Sequence, residues 1–356
     1  MNPRFIDSHI HLCDPGRLVD FEVYLRRAGI AAAGILSLPD PTLVNFNPEA
    51  FAAKLAAPDR RFVFASLDYS SRLHPALGLS SISLESQTEY LADLGADGLK
   101  MWLGKPSFQA RVGLRLDSEE VAGVYRAAAA RSLPVLIHVA DPEIFWAKEG
   151  SRFGWTQTNQ PDGPEAIPGF SELQRQAEAV LEGNPATTFI FPHLMFRTGD
   201  LEGFTEFMRR FPNALLDLSP GLYFYGDLHR RRRQAREFFS EFRSRILFGS
   251  DGMWFPPGHD YLPHLTIEEN LKKTTRLLDF LQTDKELANP FEHTREELPF
   301  VEGLELGQDT MKMILAENFI NHVGAAPRKC SGEVIGTYAE EVGRVRRHIA
   351  EGKARG

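Results

Sequence analysis

Two histidines one residue apart stand near the start of the chain. His9 and His11 close an apolar run that begins at Phe5, and Pro15 and Gly16 break regular structure just beyond them. In a β-strand, residues i and i+2 point to the same side, so the two imidazoles would lie next to each other. Two neutral imidazoles on one face suit a divalent metal ion, whereas a pair alone also fits two hydrogen-bonded surface histidines. A metal site therefore needs further ligands from elsewhere in the chain.

Three more residues of metal-ligand type stand at the ends of predicted strands. His138, His193 and Asp251 close the fifth, sixth and eighth of these strands. Alternation places His193 on the face of Phe191 and Asp251 on the face of Gly249. Taken singly, a histidine at a strand end is typically structural, and an aspartate there is typically a helix or turn cap. Together with the His-x-His pair they favour one shared site, because parallel barrel strands end on one rim, where active sites are built.

The elements that must position these residues alternate between short apolar strands and helices. Strands are predicted at 5–12, 31–38, 61–67, 97–102, 134–139, 187–193, 214–218 and 245–251. This alternation predicts a parallel sheet covered by helices, and eight such units in about 320 residues fit a (β/α)8 TIM barrel. A doubly wound sheet is the alternative, but no Gly-x-Gly-x-x-Gly follows the first strand. We predict a single barrel domain over residues 1–324 with a C-terminal helical extension, and a polar C-terminal tail over residues 325–356.

The composition bounds the class of protein. The 356 residues are 43% hydrophobic, enough for a large core, and the net charge of −8 gives no support to a nucleic-acid or anionic-membrane partner. Cys13 and Cys330 are the two cysteines, which excludes a disulfide framework and favours the reducing cytoplasm. No signal peptide or membrane-spanning run is expected. Whether the chain forms a homo-oligomer is left open.

As a set, His9-x-His11, His138, His193 and Asp251 match the metal-binding pattern of the amidohydrolase superfamily. The chain resembles most closely its amidohydrolase-2 branch of metal-dependent hydrolases and decarboxylases, over about residues 4–324. The segments that carry the resemblance are 5–11, 133–142, 188–194, 246–251 and 314–319. The resemblance implies that His9, His11, His138 and Asp251 hold a divalent ion. Nitrogen ligands and low coordination favour zinc, with manganese as the alternative. It also implies that His193 is either a second-metal ligand or the residue that polarises or protonates substrate.

Lys100 lies near the end of the fourth predicted strand. In some members of the superfamily this position is a carbamylated lysine that bridges two metals, and in others it has no metal role. A lysine of lowered pKa can react with CO2, which a permanently charged arginine cannot do. The alternative is a cationic lysine that binds a substrate carboxylate or pairs with Asp97. One ion is expected, and two if Lys100 is carbamylated.

Other side chains just past the fourth, sixth and seventh strands are candidates for substrate binding. Trp102, Lys105, Arg197 and Tyr223 lie where the loops of a barrel mouth belong. Lys105 and Arg197 would suit an anionic substrate, although surface or packing roles are the alternative for each. The long polar loop at 143–168 is predicted to cover the mouth as a lid.

The predicted activity is metal-dependent hydrolysis of a C–N or C–O bond, in an amide, lactone or ester of a small anionic molecule, by metal-activated water. Asp251 would be both a metal ligand and the group that accepts the proton of water, with His193 as a second catalytic residue. The first alternative is a decarboxylase of the same branch, which would use the same ligands. The second alternative is a barrel that binds a metal or ligand without turnover.

Overall fold

Nine parallel strands form the central sheet. The computed structural model describes residues 5–40, 44–147, 167–256, 264–291 and 297–353. In chain order the strands are Phe5–Leu12 (β1), Ile30–Leu36 (β2), Arg61–Ser66 (β3), Gly98–Gly104 (β4), Val135–Val139 (β5), Phe189–Phe191 (β6), Ala214–Asp217 (β7), Ile246–Leu247 (β8) and Gly252–Trp254 (β9). Their spatial order is β8-β7-β6-β5-β4-β3-β2-β1-β9. Neighbours in sequence are neighbours in space, as a barrel requires.

The eighth barrel position is divided between β8 and β9. The backbone amide of Ser8 in β1 donates to the carbonyl oxygen of Phe248 at 2.8 Å, and Ile10 pairs with Gly252 in parallel register. The chain breaks between the two pieces, where Asp251 has φ +53°. The prediction of a continuous strand over 245–251 is therefore wrong. The predicted (β/α)8 barrel with a C-terminal helix is confirmed.

Helices follow the strands and cover the sheet from outside. A capping box formed by Thr266 and Glu269 begins one of them, and Gly29 in the left-handed conformation ends another. Among the described residues, the right-handed helices of at least five residues are Leu18–Ala28, Asn47–Ala56, Leu84–Asp93, Pro106–Val112, Glu119–Ala130, Phe170–Gly183, Leu201–Arg210, Phe224–Arg230, Arg232–Glu241, Ile267–Gln282, Gln308–Lys312, the π-helical turn Met313–Glu317, Asn318–His322 and Gly332–Lys353.

Apolar side chains fill both faces of the sheet. The outer face packs against the helices, and a second cluster fills the barrel interior with Leu36, Phe62, Phe64, Leu136, Ile190, Leu215, Leu247 and Phe319. Burial on both faces explains why the strands read as continuous apolar runs. Leu136 and His138 lie two residues apart on β5, so the apolar interior gives way to polar side chains towards the carboxyl ends of the strands.

The segment after Gly324 is attached to the barrel. The backbone amide of Arg328 donates to Oδ1 of Asp97 at 2.6 Å. Helix Gly332–Lys353 then packs on Asn47–Ala56, where the hydroxyl of Tyr338 accepts from Asn47 at 2.8 Å. Residues 325–353, predicted as a polar tail, thus hold a docked helix. Among the described helices, none combines the length and apolar character needed to cross a bilayer.

Candidate metal centre

β1 presents His9 and His11 towards one another. Their Nε2 atoms lie 3.1 Å apart, and both side chains are buried. On the far side of each ring, Nδ1 of His9 donates to Oδ2 of Asp217 at 2.6 Å, and Nδ1 of His11 donates to the carbonyl oxygen of Leu36 at 2.9 Å. Because both Nδ1 atoms carry the proton, both Nε2 atoms present lone pairs to the same point. Burial lowers the pKa of His11 to about 4, which keeps that ring neutral at pH 7.

Asp251 brings a carboxylate to the same point. Its Oδ1 lies 3.5 Å from Nε2 of His9 and 3.5 Å from Nε2 of His11. Lys273, on the following helix, donates to the carbonyl oxygen of Asp251 at 2.6 Å and lies 3.5 Å from its Oδ2. Burial raises the pKa of this carboxyl, but Lys273 and the two histidines outweigh burial and hold it well below its ordinary value. Asp251 is therefore ionised throughout the neutral range.

These three side chains fit a divalent cation. Two imidazole nitrogens and a carboxylate oxygen all lie within 4.8 Å of one another. Two lone pairs that face each other at 3.1 Å repel unless a positive charge lies between them, and that charge would also stabilise the buried carboxylate of Asp251. Nitrogen and carboxylate donors are the usual set for zinc and related ions. His9, His11 and Asp251 are three of the four residues for which the sequence predicts metal binding.

Asp217 is a site residue that the sequence analysis missed. It closes β7, is fully buried, and holds His9 through Oδ2 while its Oδ1 accepts from the backbone amide of Ser219 at 2.7 Å. Burial opposes ionisation, yet the charge and hydrogen bond of His9 lower the pKa of Asp217 to about 2. A carboxylate on Nδ1 fixes the tautomer of a metal-binding histidine and raises its basicity. Its position at the end of a predicted strand was the signal that could have found it.

His138 points into the barrel but lies apart from the three-residue group. Its Nε2 is 3.4 Å from Oδ1 of Asp141, which in turn lies 2.5 Å from Nζ of Lys105. The same Nε2 finds no hydrogen bond among the described residues. Burial lowers the pKa of His138 to about 4, so the ring is neutral at pH 7. The ring centroid lies 5.1 Å from that of His193.

His193 lies in a turn of left-handed backbone. β6 ends at Phe191, so the strand alternation used to orient His193 does not apply. Residues 193–196 have φ between +48° and +60°, a conformation that costs roughly 1–2 kcal/mol per residue outside glycine. The turn is held where Gln174 donates to the carbonyl oxygen of Met195 at 3.2 Å and where the ring of Phe196 stacks on His193 at 5.0 Å. Backbone strain that is held by surrounding contacts is typical of functional positions.

The tautomer of His193 is set by Ser219. Nδ1 of His193 lies 3.0 Å from the hydroxyl of Ser219 and 3.1 Å from its carbonyl oxygen; because a carbonyl oxygen can only accept, the proton is on Nδ1 and the lone pair is on Nε2. Burial, with His138 and His9 nearby, holds the pKa of His193 well below its ordinary value. At pH 7 this ring accepts a proton rather than supplies one. Its centroid is 5.7 Å from that of His9, so it belongs to the same centre.

Lys100 lies in the floor of the centre. It is 1% exposed on β4. Burial lowers its pKa to about 8, against the opposing charges of Asp217 and Asp251. A lysine in this state has an appreciable neutral fraction near pH 7, and its charge when protonated faces the two carboxylates.

The candidate substrate-binding residues have separate positions. Trp102 packs near Phe108 with the two rings tilted at 47°, and Lys105 pairs with Asp141. The guanidinium of Arg197 stacks on Phe204 and Phe207 of an outer helix.

A cavity of about 230 Å3 extends from His193 along the rim, with Tyr223 in its wall. Of the predicted lid over 143–168, residues 148–166 with Trp155 lie outside the described residues, and Trp146 packs near Phe170 with centroids 6.2 Å apart.

A family profile described as amidohydrolase matches residues 6–318. The chain belongs to the amidohydrolase family. The resemblance stated from the sequence is thereby confirmed, and the match spans the barrel from β1 to the helix that begins at Asn318. No curated relative matches this amidohydrolase at the sequence level.

Solved structures share the fold of this amidohydrolase at low identity. An uncharacterized TIM-barrel protein from Bordetella bronchiseptica aligns with a TM-score of 0.53 and 14% identity, over 90% of this chain and 98% of that chain. Metarhizium anisopliae IDCase aligns with a TM-score of 0.52 and 15% identity, over 90% and 97%. The 2,6-dihydroxybenzoate decarboxylase from Rhizobium aligns with a TM-score of 0.50 and 14% identity, over 90% and 98%. At these identities the likeness shows the barrel fold alone.

Proposed function

We propose that this amidohydrolase uses a divalent metal ion to hydrolyse a C–N or C–O bond, in an amide, lactone or ester, of a small molecule. The observation that carries the proposal is the meeting of two imidazole lone pairs and one carboxylate oxygen at one buried point. Zinc suits this donor set first, with manganese as the alternative. A bound ion of this kind acts as a Lewis acid and makes water a stronger nucleophile at neutral pH.

We assign His138 as a further ligand in the proposed centre. Its Nε2 has no hydrogen bond among the described residues, and its neutral ring is buried beside His193. Its neutral ring would offer the ion a third nitrogen. One ion is proposed, and a second would require carbamylation of Lys100.

The protein's own groups supply the proton transfers. Asp251 is ionised and has a second oxygen, Oδ2, 3.5 Å from Lys273, which can accept the proton of an attacking water. His193 presents the lone pair of Nε2 towards the cavity and is the second acceptor. Once protonated, either group can return the proton to a leaving nitrogen or oxygen. Asp217 keeps His9 in the tautomer that ligation needs.

Decarboxylation is the second candidate function. Lys100 is a buried cation beside the centre that could anchor a substrate carboxylate. Loss of a carboxylate as CO2 leaves an electron pair on carbon, which takes up a proton. IDCase and the 2,6-dihydroxybenzoate decarboxylase, two of the solved structures with this fold, carry decarboxylase names. In this reaction no water is added, so the products separate it from hydrolysis.

The test combines metal analysis with product analysis. We expect the freshly purified protein, or the protein reloaded after chelation, to hold about one transition-metal ion per chain. A panel of lactones, cyclic amides, aryl esters and aromatic carboxylic acids is then followed for acid release and for CO2 release in parallel. Acid release without CO2 supports hydrolysis, and CO2 without net addition of water supports the second candidate.

Matched histidine variants show whether the centre is responsible. His11→Ala should lose metal and turnover together, while His348→Ala, an exposed histidine on the C-terminal helix, should keep both. A folded wild-type protein that binds no transition metal after reloading would remove the basis of the proposal. A protein that binds metal but turns over nothing on the panel would favour a barrel that binds without catalysis.

A further inference from the structure

The cavity lined by His193 also has acidic side chains in its wall. Its described walls are mainly apolar and aromatic, including Ile144, Phe196 and Phe224. The charged side chains among its described lining residues are both acidic, Glu143 and Asp227. A volume of about 230 Å3 holds a single ring or a short chain. A molecule whose reacting bond faces His193 therefore extends towards a carboxylate.

Asp227 is held in position as a hydrogen-bond acceptor. It lies on helix Phe224–Arg230, and its Oδ2 accepts from the hydroxyl of Thr198 at 2.8 Å. Arg230, one turn further on, is nearly half exposed and lies 3.8 Å from Oδ1, a separation at which pairing contributes little. The carboxyl is only 17% exposed, so burial raises its pKa against the opposing effects of Thr198 and the nearby arginines. A partly desolvated carboxyl of this kind gains from a donor placed in the cavity.

Gly199 leaves this carboxyl open. A side chain at this position would meet Oδ2 of Asp227 at 3.7 Å, an ordinary contact distance, and would cover it. The two cations on which an anionic substrate was expected are engaged elsewhere. Lys105 lies against Asp141, and Arg197 stacks on the rings of an outer helix. The described part of this cavity therefore offers hydrogen-bond acceptors in its wall.

We propose that Asp227 is a specificity-determining residue that binds a hydrogen-bond donor, an ammonium or a hydroxyl group, at the end of the substrate distal to the reacting bond. The substrate is then a small ring or chain with a hydrolysable group at one end and a donor at the other. This assignment rests on the proposed function for its meaning, but the binding that it predicts does not depend on turnover.

Three fragments that share a benzyl group test the assignment by calorimetry on the protein as purified. Benzylamine carries an ammonium, benzyl alcohol a hydroxyl, and benzyl methyl ether no donor. We expect Kd values on the order of millimolar for the first two and at least about tenfold weaker binding of the ether. The tighter of the two donors identifies whether the site prefers the ammonium or the hydroxyl. Equal binding of all three, or tighter binding of the ether, would overturn the proposal.

Two variants locate the effect at Asp227. Asp227→Asn keeps an oxygen for Thr198 but loses the charge, and should remove most of the preference for benzylamine over the ether. Gly199→Leu keeps the charge but covers Oδ2, and should weaken both donors. Glu202→Gln, at an exposed carboxylate on helix Leu201–Arg210, is the matched control and should leave all three fragment affinities unchanged. Unchanged fragment affinities in folded Asp227→Asn would refute the assignment, whatever the outcome of the turnover assays.

Discussion

Replacing Asp217 by asparagine tests how the centre is held together. The carboxylate makes two buried hydrogen bonds as acceptor, from Nδ1 of His9 at 2.6 Å and from the amide of Ser219 at 2.7 Å. An asparagine has one acceptor and one donor end. If its oxygen faces Ser219, its NH2 group meets Nδ1 of His9 and drives the proton to Nε2, where the metal should bind. If its oxygen faces His9, two N–H groups confront each other at Ser219.

Either orientation of the amide should lower the stability of the fold or the affinity for metal, by an amount that can be estimated. A buried donor left without its acceptor destabilises the fold by about 1–3 kcal/mol. Loss of the carboxylate behind a ligating histidine typically lowers metal affinity ~10–100-fold, or about 1.4–2.7 kcal/mol of binding free energy. We therefore expect Asp217→Asn to bind metal at least about tenfold more weakly while it remains folded.

Competition against a chelator of known affinity at pH 7 measures this, with urea unfolding of the metal-free protein as the second readout. Asp284→Asn, an exposed carboxylate between a helix and a surface ribbon, is the control and should match the wild type in both. Metal affinity within about twofold of the wild type in Asp217→Asn would refute the reasoning. It would mean that the tautomer of His9 is not set by Asp217.

Three further predictions concern the proposed catalytic carboxylate, acid stability and the turn that carries His193. Asp251→Asn should retain metal, because the histidines remain and asparagine also tolerates φ +53°. Its turnover should fall ~10²–10⁴-fold. Near wild-type turnover on any substrate found would exclude Asp251 as the proton acceptor. The metal-free protein should lose stability as pH falls from 6.5 to 4, because burial lowers the pKa of His11 and of His138 to about 4 and the unfolded chain takes up those protons first. Asp7 has the opposite effect on stability, because burial raises its pKa to about 6. This one group does not cancel the two histidines, so the free energy of unfolding, measured with urea, should be lower at pH 5 than at pH 7. The decrease should be smaller in His138→Gln. Gly221→Ala should destabilise the fold by about 1–3 kcal/mol, because its Cβ would meet the ring of Phe196 at 2.6 Å, while Gly199→Ala, with 3.7 Å to its nearest atom, should be near neutral in the same urea measurement.

The sequence was sufficient for the barrel and for the centre of the site. Strands buried on both faces appear in the sequence as unbroken apolar runs, and in the helices between them apolar residues recur every three to four positions. The order of strands and helices can therefore be predicted from local sequence. The pair His9 and His11 is also local, because alternation along one strand fixes where both rings point. Asp251 could be found because the ends of parallel strands share one rim. The orientation of the Asp251 side chain could not be predicted, because the strand is broken there and the residue adopts a left-handed conformation.

The interactions of each side chain at the rim depend on residues that are distant in sequence. Asp217 became the partner of His9 across 208 positions, and nothing beside it in the chain marks that pairing. Lys105 and Arg197 have the same charge and similar places, yet one lies against a carboxylate and the other on two aromatic rings.

The turn that aims His193 is likewise a tertiary result. No local propensity favours four left-handed residues without glycine, and the packing of Phe196 and the hydrogen bond from Gln174 hold it there. The sequence by itself determined which residues arrive at the rim, because that follows from the period of each element. Only the tertiary structure decided their partners, because hydrogen bonds and burial between distant segments exist only when the barrel has closed.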